Sequence, residues 1–341
     1  MSANDDIADA LISRAIALSR YGAGASKEVL AILAKAQKDI VRRLPDISTE
    51  RNYRAQIARI NEIQKLIAET YATISLTHAD EMQQLASAEA AFFVKSANAI
   101  VGAAVVKVMP TVAQLNAIAN NVLVVGSPSK DWWDQQSRSA QNEFKRVVRL
   151  GLSQSETNQQ ITKRVTDALN ISRREADALV RTSTQSVAIA AREAIVADND
   201  DLFDGKMSLA VLDSRTTFLC ASYDHEKYTL DLKPLGPKKL PYKSCPRHFR
   251  CRSLFTYILK AWDKIGLAKN DVTEGMRASI DGQVPASTDF NKFISGKSAA
   301  WQKQYLGEGR YDLYKSGKIT ISDLIDGSGR ELTLKQLRRF E

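Results

Sequence analysis

The chain has 341 residues, of which 44% are hydrophobic, 26% charged and only 7% aromatic. These are the proportions of a globular protein and exclude a disordered or low-complexity chain; the shortage of aromatics beside abundant Ala, Ile, Leu and Val favours packed helices over a β-sandwich. Lys and Arg number 48 against 39 Asp and Glu, a formal charge of +9, which suits a polyanionic partner or simply a well-solvated surface.

The first residues, Met1 to Arg14, are acidic and then amphipathic. They lack the basic region and apolar core of a secretory signal, so synthesis in the cytoplasm is expected. Ile7, Leu11, Ala15 and Leu18 mark the apolar face of a first helix, expected to close at Tyr21-Gly22-Ala23-Gly24. Ser26 is placed to cap a second helix, carrying Val29, Leu30, Leu33 and Ile40 and stopped by Pro45. A long third helix is expected from about Glu50. Its near-heptad stripe, Ile60, Ile63, Ile67, Tyr71 and Ile74, suits an internal core face first and a coiled-coil partner second. Ala90 to Met109 approaches membrane-spanning length, but Lys95, Ser96, Asn98 and Lys107 interrupt it. A buried or oligomer-facing helix is the better reading.

Pro110 opens another segment, and Gly126-Ser127-Pro128 should leave Trp132 and Trp133 on a loop, as an interface anchor or a lid over the helices. Two Ser-x-x-Glu boxes follow, Ser153 with Glu156 and Ser172 with Glu175. Each is expected to open a helix, the first with Ile161, Val165 and Leu169, the second with Ala176, Leu179, Val187 and Ala194. Near Asn199 the pattern changes. Met207 to Leu212 and Ser253 to Leu259 read as strands around an irregular, Pro-containing connection. From about Val272 the chain returns to helix and turn, with Phe290 to Leu306, a turn at Gly307 to Gly309, and Leu332 to Phe340. The fold expected is therefore α+β but predominantly helical, with long N-terminal helices followed by a small α+β module. Its parts are a helical region 1–150, the module 151–270 and a helical C-terminal extension 271–341.

All three cysteines, Cys220, Cys245 and Cys251, and two of the three histidines, His225 and His248, fall between positions 220 and 251. The two-residue gaps in Cys245-Pro246-Arg247-His248-Phe249-Arg250-Cys251 allow thiolate and imidazole donors to converge on one cation. Cys220 or His225 would complete the four N/S ligands of a structural zinc. Two other readings stay open: small buried thiols with His248 bonded to backbone, and a disulfide formed in an oxidising medium. A catalytic Cys–His pair is disfavoured because no oxyanion hole or nucleophile elbow accompanies it. Asp213-Ser214-Arg215-Thr216-Thr217 reads as a turn whose Asp accepts backbone N–H bonds, with Arg215 reaching a carboxylate. The chain is thus read as a non-enzyme.

From Lys206 to Lys260 there are eleven Lys or Arg and four Asp or Glu. Lys238, Lys239, Lys243, Arg247, Arg250 and Arg252, interleaved with Tyr242 and Phe249, are candidate phosphate contacts to DNA; a solvated face or an acidic neighbouring subunit explains the same charges. There is no P-loop, dinucleotide fingerprint or HExxH.

The order of these pieces resembles the Mu F-like head morphogenesis family, the minor head proteins of tailed phages. The residues that carry the resemblance are Arg181-Thr182, then Asp213-Ser214-Arg215-Thr216, then Pro246-Arg247-His248-Phe249-Arg250-Cys251-Arg252. The lead-in from Gly151 to Arg181 and the ending around Trp301 to Gly307, Arg310, Leu313, Gly317 to Leu324 and Leu332 to Leu337 look similar too, so the likeness spans about Gly151 to Glu341. Ser253 stands where many members carry a second Cys, and Ser183 where an acidic residue is common. The resemblance implies a low-copy virion protein at the portal vertex, acting in head assembly, genome packaging or delivery. Its partners would be the portal protein, scaffold or major capsid protein, and phage DNA, with the chain ring-associated and residues 1–150 docking to the portal or another partner. An apolar stripe at Ile60 to Ile74 or Ala99 to Val106 would suit such docking. Two other classes compete: a nucleic-acid-binding protein outside any particle, and a toxin-like enzyme. The latter rests on Arg181 and Thr182 to Thr184, which faintly resemble elements of ADP-ribosyltransferases, but no Glu-x-Glu pair follows.

Overall fold

The structure is a computed structural model and describes residues 3–235, 240–261 and 275–340. The chain is predominantly helical with a small sheet module, an α+β arrangement as expected. Long helices dominate the first two hundred residues: α1 (Ala3–Ser48), α2 (Tyr53–Val101), α3 (Val112–Asn121), α4 (Ser129–Ser153) and α5 (Asn158–Asp198). Two residue pairs, β1 (Leu123–Val124) and β2 (Ser127–Pro128), form a minimal antiparallel hairpin before α4. Then come β3 (Phe203–Leu209), α6 (Phe218–Ser222), β4 (Lys227–Tyr228) and β5 (Leu254–Leu259), followed by the hairpin β6 (Met276–Ser279) and β7 (Gly282–Pro285). Four short helices close the chain: α7 (Phe290–Ser295), α8 (Ala299–Leu306), α9 (Glu308–Lys315) and α10 (Leu334–Leu337).

Two compact units interleave along the sequence. One takes residues 1–18, 88–111 and 188–341, the other 19–87 and 112–187, so α1, α2 and α5 each contribute to both.

In the second unit the Ile60, Ile63, Ile67, Tyr71 and Ile74 stripe is at most 3% exposed. It is an internal core face, which removes it as a docking stripe. Gly22 and Gly24 do not end a helix, because α1 runs unbroken through them. A Cβ on Gly22 would lie 3.2 Å from Thr184 Oγ1 and 3.5 Å from Arg181 Cα; the glycine serves close approach of two helices rather than termination. Ser26 lies inside the same helix and donates from its hydroxyl to Asp177 Oδ1 at 2.6 Å instead of capping. Pro45 sits in the last turn, and α1 ends at Ser48.

The expected helix starts at Ser153 and Ser172 also shift. Ser153 is the last residue of α4, while Ser172 and Glu175 lie within the continuous α5. The working box is four residues on: Thr157 Oγ1 accepts from Gln160 N, and Gln160 Oε1 accepts from Thr157 N at 2.8 Å. Glu156 instead receives the guanidinium of Arg164. Beyond this start, Ile161, Val165, Ala176, Leu179 and Val187 continue one buried face, and burial of a long apolar face overrides an internal start signal. The tryptophans are not on a loop. Both lie in the first turns of α4, where Trp132 Nε1 donates to Val124 O at 2.6 Å. Trp133 is buried and donates from Nε1 to His78 Nδ1 at 3.2 Å, meeting the imidazole edge-on. Burial lowers the His78 pKa to about 4, so it is neutral at physiological pH.

In the first unit the sheet order is β4-β3-β5, all antiparallel, with Leu209 of β3 opposite Leu254 of β5. The expected strand at Met207 to Leu212 begins earlier and ends at Leu209; that at Ser253 to Leu259 is recovered within one residue. Phe93, Phe203 and Tyr257 pack ring against ring. The C-terminal helices build their own core around Phe290, Ile294, Leu306 and Leu324. The helix expected over Phe290 to Leu306 is split in two by Ser298, which caps α8 by accepting from Trp301 N. Among the described residues, no helix is long and apolar enough to cross a membrane.

Candidate metal centre

Pairing of β3 with β5 brings the chain leaving β3 beside the chain entering β5. The first of these turns at Asp213, whose Oδ1 accepts from Arg215 N at 2.9 Å, as the sequence suggests. Thr216 closes the turn from its hydroxyl onto Val211 O. Thr217 then caps α6 by accepting from Cys220 N at 3.3 Å, which presents Cys220 from the helix's first turn. On the entering side, Cys251 N bonds His248 O at 3.1 Å and Arg250 takes a left-handed φ of 62°. That tight turn sets His248 and Cys251 side by side.

The result is a cluster of three donors. Cys220 Sγ lies 3.3 Å from His248 Nε2 and 3.5 Å from Cys251 Sγ, and all three donor atoms fall within 4.8 Å of one another. Tetrahedral zinc with ordinary bond lengths places sulfur about 3.8 Å from sulfur and about 3.6 Å from nitrogen. The observed separations are those edges to within a few tenths of an ångström. His248 Nδ1 is 2.8 Å from Phe249 O, a hydrogen bond that puts the proton on Nδ1 and leaves the Nε2 lone pair facing the thiols and Thr217 Oγ1 at 3.1 Å. A carbonyl on the far nitrogen is the usual support of a ligating histidine. Cys245 is buried and acts to raise the Cys251 thiol, though it stands outside the 4.8 Å group.

As a nucleophile the cluster is poorly prepared. The contact with Cys251, and then burial, push the Cys220 thiol up to about 12, which leaves about one thiolate in 10⁵ at neutral pH. Cys251 is raised as well: the contact with Cys220 lowers it, but Cys245 and burial prevail. His248 is raised, first by its hydrogen bond to Cys220.

His225, the alternative fourth ligand, faces elsewhere. Its Nε2 is 3.0 Å from Ala286 O and its Nδ1 3.3 Å from Asp224 Oδ2. Asp224 is also held by the buried Arg277, with Nη1 at 3.1 Å from Oδ2. Burial raises Asp224, but Arg277 and His225 outweigh it and hold the carboxyl well below the usual range.

The basic run divides. Arg252 makes a two-pronged ion pair with Asp213, Nη1 to Oδ2 at 2.5 Å and Nη2 to Oδ1 at 2.6 Å. Arg247 is 7% exposed, with its guanidinium 4.5 Å over the Tyr223 ring. Burial acts to lower the pKa of Arg247, and the sulfurs of Cys245, Cys220 and Cys251 raise it further than that. Arg247 is therefore buried inside the module, which corrects the phosphate contact expected of it, while Arg252 is half-buried on Asp213. Lys243 is half-buried and Arg250 exposed, while Lys238 and Lys239 lie outside the described residues. Arg181 and Thr182 stand mid-helix in α5, Arg181 Nε on Asp177 Oδ1 and the Thr182 hydroxyl on Ala178 O. Thr182, Ser183 and Thr184 are buried, closed to any substrate.

Sequence reading missed Thr217, although Thr before a short apolar run is a capping signal. It also missed the Asp213–Arg252 pair, for which no local signal exists. No protein-family model, curated protein or solved structure matches this chain.

Proposed function

We propose that the chain is a structural, portal-associated minor head protein of a tailed phage, acting in head assembly and in genome packaging or delivery, with its Cys/His module held by a structural zinc ion. One observation carries this reading. The Asp-x-Arg-Thr and Pro-x-His-x-x-Cys-Arg segments, on which the resemblance rests, are joined by the Asp213–Arg252 pair and the contacts of Cys220 with His248 and Cys251. The motif residues are thus one another's partners, as expected of a fold signature rather than of a substrate site.

Zinc would be held by Cys220, Cys245, His248 and Cys251 and would cross-link the start of α6 to the approach to β5. A closed set of four protein ligands supplies stability and no open position for chemistry. Burial of the Ile60 to Ile74 stripe means that another surface would meet the portal.

The test has two arms. In a reconstruction of the portal vertex from intact virions, ordered density for this chain is the expected result; its absence, with no co-purification with portal protein, would overturn the assignment. Purified protein should carry about one zinc per chain under non-chelating conditions, and less than about half an equivalent removes the metal. Tight, salt-sensitive DNA binding without portal association would move the chain to the class of free nucleic-acid-binding proteins.

A further inference from the structure

In the helical unit, α1 buries Val29, Leu33, Ile40 and Leu44. At about 3.6 residues per turn the opposite side carries Arg20, Lys27, Lys35, Lys38 and Arg42, and all five are exposed. They form one row about 33 Å long, roughly the length of one turn of duplex DNA. The side chains between them on that row are those of Ala31 and Ala34, with Gly24 adding none. Glu28 and Asp39, the acids of this stretch, lie about a quarter turn to one side. Arg42 pairs with Asp39 at 3.0 Å while its side chain stays 78% exposed. Arg20, Lys27, Lys35 and Lys38 make no ion pair among the described residues.

Lys65, Lys130, Arg146 and Lys163, on other helices of the same unit, each have an acid three or four residues away on their own helix. The row on α1 is built differently. Lys35 with Lys38, and Lys38 with Arg42, are like charges at i,i+3 and i,i+4, which repel one another on a helix. The row therefore costs the helix stability, and an external anion lying along it reverses that cost. Duplex DNA carries one negative charge per about 1.7 Å of its axis, so it can face the whole row at once. The small residues between the cations let a phosphate backbone come close. A membrane surface fits poorly, because the apolar side of α1 is turned into the core and nothing on the outer side can insert.

We infer that the outward face of α1 from Arg20 to Arg42 binds the phosphate backbone of duplex DNA, without sequence preference. This goes beyond the portal assignment, and it places a DNA contact in the helical unit rather than in the Cys/His loop.

The probe is a fluorescent 30-base-pair duplex of mixed sequence, titrated with the full chain at several salt concentrations. Wild type should bind with a steep inverse dependence on salt, equally for unrelated sequences. Lys27→Gln, Lys35→Gln and Lys38→Gln together should weaken binding about tenfold or more and flatten the slope of log affinity against log salt by about 2 to 3. The same three positions as arginine should bind like wild type. Arg138→Gln, Arg149→Gln and Lys145→Gln on α4 remove the same charge and should change binding less than threefold or so. Equal losses from the two triples would make net charge the cause and overturn the inference, as would an unchanged slope in the α1 triple. It is overturned too if polyglutamate competes as well per charge as DNA, which would mean an acidic protein partner, or if phosphatidylserine vesicles bind as tightly as the duplex. Should the glutamine triple lose helicity, the single variants decide, each expected to lower the slope by about 1. Portal association is read separately, so either conclusion can fail without the other.

Discussion

In the helical unit, Trp133, Phe144 and the Ile60 to Ile74 stripe are buried by apolar contact along elements whose backbone bonds are satisfied within each helix. Among the described residues between Asp213 and Cys251 the regular structure amounts to α6 and the two residues of β4, and the fold depends on side chains reaching across: Asp213 to Arg252, Thr217 and Cys220 to His248, Cys220 to Cys251. Helices distribute stability over many weak contacts, so a single polar change is absorbed. An irregular loop concentrates it in a few directional ones, and each becomes individually decisive. A metal suits the second region for the same reason, since it supplies cohesion where too little apolar surface is available.

Three substitutions probe that contrast, from the largest expected effect downward. Trp133→Ala removes a fully buried indole and leaves His78 Nδ1 without its donor. It should cost about 3–5 kcal/mol in denaturant unfolding, and added zinc should not restore it. Restoration by zinc would show that the helical unit is not held independently of the metal centre.

Asp213→Asn leaves Arg252 without its carboxylate and weakens the turn. A loss of about 2–3 kcal/mol is expected, with reduced zinc retention under chelator challenge. Burial acts to raise the Asp213 carboxyl, and Arg252 outweighs it, so in the folded chain it lies below the usual carboxylate range. Stability from this pair is present above the unfolded value and lost as pH falls below it; the asparagine variant should not show that acid loss. Unchanged zinc retention would separate the ion pair from the donor cluster.

The smallest effect is expected from Glu81→Gln in the helical unit. Burial first, then the hydrogen bond to Glu28, raise Glu81 from 4.5 to about 7. A carboxyl with a raised folded pKa contributes stability in full below about 4.5, and that contribution is lost as pH rises through about 7. A melting temperature that declines over this window in wild type and stays flatter in Glu81→Gln is the expected outcome. Parallel curves would mean that the Glu28–Glu81 contact is not used in solution.

The residues that proved legible in sequence are those whose signal is local. The Asp213 turn needs only its own side chain and the next backbone N–H groups, and it forms as written. Helical periodicity at Ile60 to Ile74 specifies a face, and that face is buried. Signals that compete with packing fared worse. Ser172 with Glu175 is as good a capping box on paper as Thr157 with Gln160, yet only the latter starts a helix, because Leu169 to Val187 continues an apolar face that would otherwise lie exposed. Gly22 reads as a breaker and acts as a contact, because what it meets is Thr184, far away in sequence.

The amino-acid sequence alone determined that the chain is helix-rich, that its thiols and two of its imidazoles crowd into one short stretch, and that this stretch is basic. Periodicity, composition and spacing are properties of the chain as written. Which of those basic residues face inward was decided only by the tertiary structure. Arg247 and Arg252 flank the same His248–Cys251 turn and look alike in sequence. One finds Asp213, brought to it by the pairing of β3 with β5, and the other finds aromatic rings and three sulfurs. Electrostatic partners are chosen by distance through space, and no local pattern encodes that distance.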